Sequence, residues 1–339
     1  MKIGITYDLE QDYRDLGFSE EEAAEFDSIE TIDAIDSTLQ CLGTDTDRIG
    51  NIRSLVGRLA AGEKWDLVFN IAEGVKGFGR ESQVPALLEA YDIPYTFSDP
   101  AVLSLCLHKG ITQRVVRSMG LPTANFAVVE NASDLRRVNL EFPLFAKPVG
   151  EGTGKGITAH SKIETRAELN VVVKNLLAKF CQPVLVETFL PGREFTVGVV
   201  GTGVDAEAVG VMEVHLTPRA ERDVYGFYNK KNWREACHYS NIDGALAKQC
   251  EKIAIAAYRG LGCRDAGRID LRLNVEGVPC FLEINPLAGI RPGYSDFCLL
   301  NELAGLTYTD FLAAIVNSAC NRYNIKWRSE RDLENRLIA

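Results

Sequence analysis

Apolar positions fall in short runs separated by stretches of helical spacing. Residues Ile3 to Tyr7 read as a strand, and Ser19 followed by three acids caps a helix predicted from Ala23 to Leu42. A second apolar run, Trp65 to Ile71, ends in the glycine-rich GVKGFGRE; a helix at Ser82 to Tyr91 and an extended piece at Ile93 to Thr96 follow. Such alternation predicts an open α/β sheet over about the first hundred residues.

From Lys109 the pattern changes. A helix runs to Met119 and stops at Gly-Leu-Pro, strands are predicted at 126–129, 143–147 and 184–187, and a helix at 167–180 lies between them. The last third reads as strands at 194–200 and 208–214, a polar and aromatic stretch at 225–239, a helix at 244–261, a hairpin at 267–285 and a helix at 308–321. This later part is α+β rather than alternating α/β.

A chain of 339 residues exceeds what one hydrophobic core usually serves, and with 46% hydrophobic and 25% charged residues it is globular. Its formal charge of −10 repels nucleic acid and anionic membranes, and no Lys/Arg run offsets it. No apolar stretch reaches the length of a membrane span and no signal-peptide pattern opens the chain, so the cytoplasm is the expected address. Nine cysteines without a CxxC pair read as buried, reduced thiols.

The most informative stretch is GRIDLRLNVEGVPCFLEINP. If Glu276-Gly277 forms a tight turn, Val275 pairs with Val278, Asp270 faces Glu283, and Arg268 faces Asn285, all on one face. Opposed carboxylates repel, so the arrangement asks for a cation, and Asp, Glu and Asn oxygens suit magnesium. A solvated polar face fits the same spacing. The other face would carry Ile269, Leu271, Leu273, Leu282 and Ile284.

Upstream, the strand Pro143 to Lys147 ends in a lysine followed by GEGTGKG. That pairing of charge and glycine amides can hold phosphate oxygens, although a flexible tip with a solvated Lys155 reads equally well. The spacing is not that of a Walker A loop, no dinucleotide fingerprint follows the first strand, and no GxSxG elbow exists. Lys109, Glu187 and Glu194 taken singly read as solvent-facing or hinge charges.

In order along the chain, Lys109, the FAKP strand with its loop, VLVETFLPGREFTV, GRIDLRLN and FLEINPLAG resemble the ATP-grasp superfamily, and within it the D-alanine:D-alanine ligase family. The resemblance implies an ATP-grasp fold of three domains: an N-terminal Rossmann-like sheet (1–102), a central domain (103–188) and a catalytic C-terminal domain (189–322), with a charged tail at 323–339. It implies that Lys109 and Lys147 hold the α- and β-phosphates and that Glu151, Gly152, Thr153 and Gly154 close over the triphosphate. Glu187, Thr188, Phe189 and Leu190 would meet adenine, and Glu194 the ribose. Asp270, Glu283 and Asn285 would bind two Mg²⁺ ions, or Mn²⁺ in their place. Arg268 and the Gly289 amide would stabilise a tetrahedral intermediate, and either Lys230 or Lys231 would reach the γ-phosphate.

The implied reaction joins a small carboxylate and an amine, expected to be amino acids, through an acyl phosphate, releasing ADP and phosphate from a homodimeric enzyme. A small-molecule kinase and a non-catalytic nucleotide-binding protein are the alternatives. Departures gather where substrates bind in the family. The segment Asp8 to Glu25 is acidic and glycine-poor, with Glu25 or Asp27 as candidate amine ligands. Glu73 stands in place of a histidine, Lys231-Asn232 replaces Lys-Tyr, and residues 290–296 read Ile-Arg-Pro-Gly-Tyr-Ser-Asp. Glu73 and Asp296 point to a substrate with an extra amine or cation.

Overall fold

The computed structural model describes residues 1–221 and 223–327; most of the expected charged tail therefore lies outside the described residues. Three sheets follow one another along the chain. The first is parallel, with β1 (Lys2–Thr6) between β2 (Asp45–Gly50) and β3 (Leu67–Asn70). The second is antiparallel, in the order β4 (Phe126–Val129), β7 (Val184–Thr188), β5 (Leu144–Pro148), β6 (Lys162–Ile163). The third, also antiparallel, runs β10 (Cys237–Asn241), β9 (Glu207–Leu216), β8 (Glu194–Val200), β11 (Ala266–Leu273), β12 (Pro279–Asn285).

Several elements depart from the sequence reading for identifiable reasons. The helix predicted from Ala23 is split: Ser19 caps only a short turn, Glu20–Ala23, through a capping box with Glu22, and the long helix begins at Ile29. The polar strand β2 was not expected. It lies at a sheet edge, where Asp47 pairs with Arg58 and Arg48 with Asp36 instead of entering a core. The helix Pro100–Leu107 was also missed, because it is apolar nearly all round and has no period to read. Seven cysteines are buried as expected, but Cys41 and Cys181 are exposed.

Packing crosses the three stretches. The final described helix, Tyr308–Arg322, puts Phe311, Ile315 and Val316 into the core that Ile3, Ile5, Ile32 and Phe69 begin. The helix Lys109–Ser118 contributes Val116 to the core of the third sheet, beside Phe195, Ile269 and Phe281. Each such fully buried side chain contributes about 2 kcal/mol. The last described helix thus packs against the core of the first sheet and the Lys109–Ser118 helix against that of the third, and a cleft is left where the three sheets approach one another.

The β11–β12 hairpin has the expected pairing at its functional end, Asp270 opposite Glu283 and Arg268 opposite Asn285. It reaches that pairing by another route. The turn is longer than two residues: Leu273 pairs with Pro279, and Asn274 accepts the amide protons of Glu276 and Val278 on its side chain. A β-bulge next to Leu271 then restores the register. It also redirects side chains, so Phe281 enters the core and Leu282, expected on the core face, lines the cleft.

Candidate active site

The cleft contains two adjoining cavities. The smaller, about 80 Å³, lies between the second and third sheets. Its walls combine Phe145, Phe189, Leu190 and Leu282 with the charged Lys147, Glu187, Glu194 and Arg272. The larger, about 230 Å³, lies toward the first sheet and is lined by Arg268, Asn285, Gly289 and a series of acids. Lys109, Glu151, Tyr225 and Lys230 line both, so they mark the junction.

Strand register sets the charges of the smaller cavity. Lys147 on β5 and Glu187 on the neighbouring β7 form a buried ion pair of 2.9 Å, and Gln113 donates to Glu187 at 3.0 Å. Burial opposes the Lys147 charge, but Glu187, Glu283 and Glu194 outweigh it and raise its pKa. Arg272 reaches Glu194 at 3.3 Å and lies 5.0 Å from the Phe189 ring centre. An apolar slot with a polar rim of this kind suits a planar base. Thr188 is at the slot's wall as well.

On the hairpin face, Arg268 contacts Asp270 at 3.0 Å, and Thr196 donates to the same carboxylate at 2.9 Å. Lys109 lies 3.3 Å from Glu283 and donates to the Glu151 carbonyl. Burial works against both carboxylates. Lys109, Lys147, Lys230 and Arg268 nonetheless hold Glu283 well below the usual range, whereas burial with the Glu283 charge keeps Asp270 raised. Among the described residues no three His, Cys, Asp or Glu side chains come together as a metal cluster. The third oxygen here belongs to the Asn285 amide; its buried Nδ2, a donor that takes no part in ligating a cation, has no hydrogen-bond partner among the described residues. Two carboxylates and an amide oxygen on one face are a set of hard donors that fits a divalent cation.

The glycine-rich loop is held shut rather than solvated. Glu25 accepts from the Gly152 amide and pairs with Arg80 at 2.8 Å and Lys155 at 3.3 Å; Arg80 also donates to the Gly150 carbonyl. Lys155 further pairs with Glu151 at 2.5 Å. Glu25 is therefore engaged in closing the loop and is not free as an amine ligand. Thr153 and Gly154 both have positive φ, and a Cβ on Gly154 would lie 2.7 Å from the Phe227 nitrogen. That contact joins the loop to the 225–239 segment, which folds as two short helices and β10.

The same segment separates the two candidate lysines. Lys230 is turned inward, 4.9 Å from the Tyr225 ring centre, and lines both cavities. Lys231 is turned outward, half exposed and paired with Glu20 at 2.5 Å, and lines neither. Lys230→Met is accordingly expected to lower turnover about a hundredfold, whereas Lys231→Met leaves it within about twofold; steady-state ADP release measures both. Equal losses in the two variants would overturn the distinction.

Asp296, expected as a free carboxylate, is already engaged: Tyr225 donates to it at 3.0 Å and Arg268 lies 3.6 Å away. Ser295, in the turn that follows Gly289, comes close enough that a Cβ at Gly289 would be 3.1 Å from its hydroxyl. Sequence reasoning placed Tyr225 only within the aromatic 225–239 stretch and passed over Arg80 and Glu81 as site residues. The only signal for these two was an Arg-Glu pair directly after a glycine-rich turn.

Two sheets closing on a slot with lysines, a glycine-rich loop and an acidic hairpin define an ATP-grasp enzyme. Residues 115–317 match the family described as D-ala D-ala ligase C-terminus. A D-alanine–D-alanine ligase of Bordetella petrii is 34% identical, over 79% of this chain and 79% of that one. The fold is shared with the Bacillus anthracis D-alanine–D-alanine ligase solved with ATP (TM-score 0.72, 19% identity, 95% and 98% of the two chains). It is shared as well with the VanG D-Ala:D-Ser ligase of Enterococcus faecalis (TM-score 0.71, 19% identity, 94% and 99%). The chain belongs to the D-alanine–D-alanine ligase family and is an ATP-dependent, ADP-forming carbon–nitrogen ligase. Among its described residues, no single helix is long and apolar enough to cross a membrane.

Proposed function

We propose that the smaller cavity holds ATP, that the larger holds two small amino-acid or amine substrates, and that the residues at their junction carry the transfer. Lys109 and Lys147 neutralise the α- and β-phosphates, and Glu151 to Gly154 cover the triphosphate. The Glu187 to Leu190 segment meets the base, and Glu194 the ribose. Asp270, Glu283 and Asn285 would hold two Mg²⁺ ions, or Mn²⁺; when bound, these supply positive charge to the polyphosphate. The division at residues 102, 188 and 322 is the domain organisation that accompanies this reading.

A substrate carboxylate attacks the γ-phosphate beside Lys230, and ADP leaves an acyl phosphate. The amine of the second substrate then displaces phosphate. The Arg268 guanidinium and the Gly289 amide stabilise the oxyanion, and the closed loop keeps water from the mixed anhydride. The observation that carries the reading is the hairpin register: one face presents Arg268, Asp270, Glu283 and Asn285 to the junction of the two cavities.

ADP and phosphate release, followed with Mg²⁺ over D- and L-amino acids and polyamines singly and in pairs, is expected to require both a carboxylate and an amine. A phosphorylated product that accumulates with no amine consumed would instead identify a kinase.

A further inference from the structure

The larger cavity is asymmetric in charge, and the asymmetry survives once its ion pairs are counted. Asp296 is matched by Arg268, and Glu25 by Arg80 and Lys155. Glu151 is matched by Lys155, whereas Arg291 makes its 3.8 Å pair with Glu30 and not with Asp27. Among the described residues Glu10, Asp27, Glu73 and Glu81 have no countercharge closer than 4.0 Å, and of these Glu73 and Glu81 stand beside the same cation. Both line the cavity, and Arg80, the cation shared between them, already makes its 2.8 Å pair with Glu25. Glu81 is only 8% exposed, and its side chain accepts no hydrogen bond among the described residues; its nearest cation is Arg80 at 4.0 Å. Glu73 has no hydrogen-bond or ion-pair partner among the described residues either.

Two carboxylates facing one cavity with a single cation that Glu25 already engages are costly, and a native site tolerates this where a ligand supplies the missing charge. Burial, added to the charges of Glu81 and Glu25, raises Glu73 well above the ordinary carboxylate range, and burial pushes Glu81 up to about 7. The lining of the same cavity also includes donors: Arg291, and Trp233, whose buried indole nitrogen has no partner among the described residues. An amino acid can present its own carboxylate there while a cationic side chain reaches the acids.

Building on the ligase reading above, we infer that Glu73 and Glu81 form a recognition site for a second cationic nitrogen, so that one substrate is a dibasic amino acid carrying a side-chain ammonium or guanidinium. Neutral side chains of equal length leave the two carboxylates unpaired and are selected against. The role is one of specificity, since neither group touches the reacting atoms.

The test compares kcat/KM for ADP release with lysine, ornithine and arginine, in both enantiomers, against norleucine, norvaline and alanine, each paired with a common panel of amines and amino acids. The best dibasic substrate is expected to exceed its neutral counterpart by about 100-fold. Glu73→Gln and Glu81→Gln should each cut that ratio at least about tenfold through KM, with turnover at saturation and ATP affinity held. Turnover that favours neutral amino acids, or a preference unchanged in both variants, would overturn the inference while leaving the ligase reading intact. ATP binding with no ADP release from any pair would overturn the ligase reading itself, and the inference with it.

Discussion

Asp270→Asn and Glu283→Gln are each expected to lower substrate-dependent phosphate release by about 10²- to 10³-fold while leaving the protein folded. The substitutions keep shape and remove one charge from the hairpin face that joins the two cavities. Stability should change little, because the paired residues compensate: Arg268 keeps Asp296, and Lys109 keeps the Glu151 carbonyl. Phosphate release measured beside a thermal melt separates the two effects. Activity unchanged in either variant would remove the basis for placing metal and polyphosphate on this hairpin.

The second large effect is on stability. Asp265 is fully buried, and five donors meet it: Arg322 at 2.6 and 2.9 Å, Ser318 at 2.8 Å, Thr202 at 3.1 Å and the Phe97 amide at 2.8 Å. These groups come from the first stretch of chain, the third sheet and the last described helix, so one carboxylate ties together the elements that frame the larger cavity. Asp265→Asn keeps the positive φ that Asn tolerates. It removes the countercharge of Arg322, whose side chain is 15% exposed. The expected cost is about 3–5 kcal/mol, because a mostly buried guanidinium is left unpaired. Urea unfolding measures it, and a second change, Arg322→Met, should recover part of the loss. A cost under about 1 kcal/mol would show that Arg322 reaches water when its partner is gone.

Legibility from sequence tracked how local each determinant is. The pairing of Asp270 with Glu283 could be read because alternation along a strand is a local rule, yet the reading rested on two compensating departures: a longer turn and a bulge. Leu282 shows the consequence, since the bulge moved it from the expected core face to the wall of the smaller cavity. The helix Gly244–Leu261 was read end to end, because its apolar period and its glycine stop are both written in consecutive residues. The strand β2 was not, because it is polar and owes its place to the neighbouring strand, and the helix Pro100–Leu107 was not, because it is apolar nearly all round and has no period to read. The states of Glu25, Lys155 and Asp296 were likewise hidden: each looked like a solvated or ligand-ready charge, and each is paired with a group distant in the chain.

By itself, then, the chain determined most of its strands and helices and the face on which the acidic hairpin presents its oxygens, and its ordered motifs carried the resemblance to the ligase family. The elements and the hairpin face depend on periodicity and spacing, which hold for any segment whatever it packs against. Only the tertiary structure decided which of two adjacent lysines faces the site, that Glu25 latches the glycine-rich loop, and that Glu73 and Glu81 face one cavity with only Arg80, already paired with Glu25, beside them. A charge becomes a ligand, a latch or a recognition group according to what is brought within a few ångströms of it once water is excluded, and that neighbourhood exists only in the folded chain.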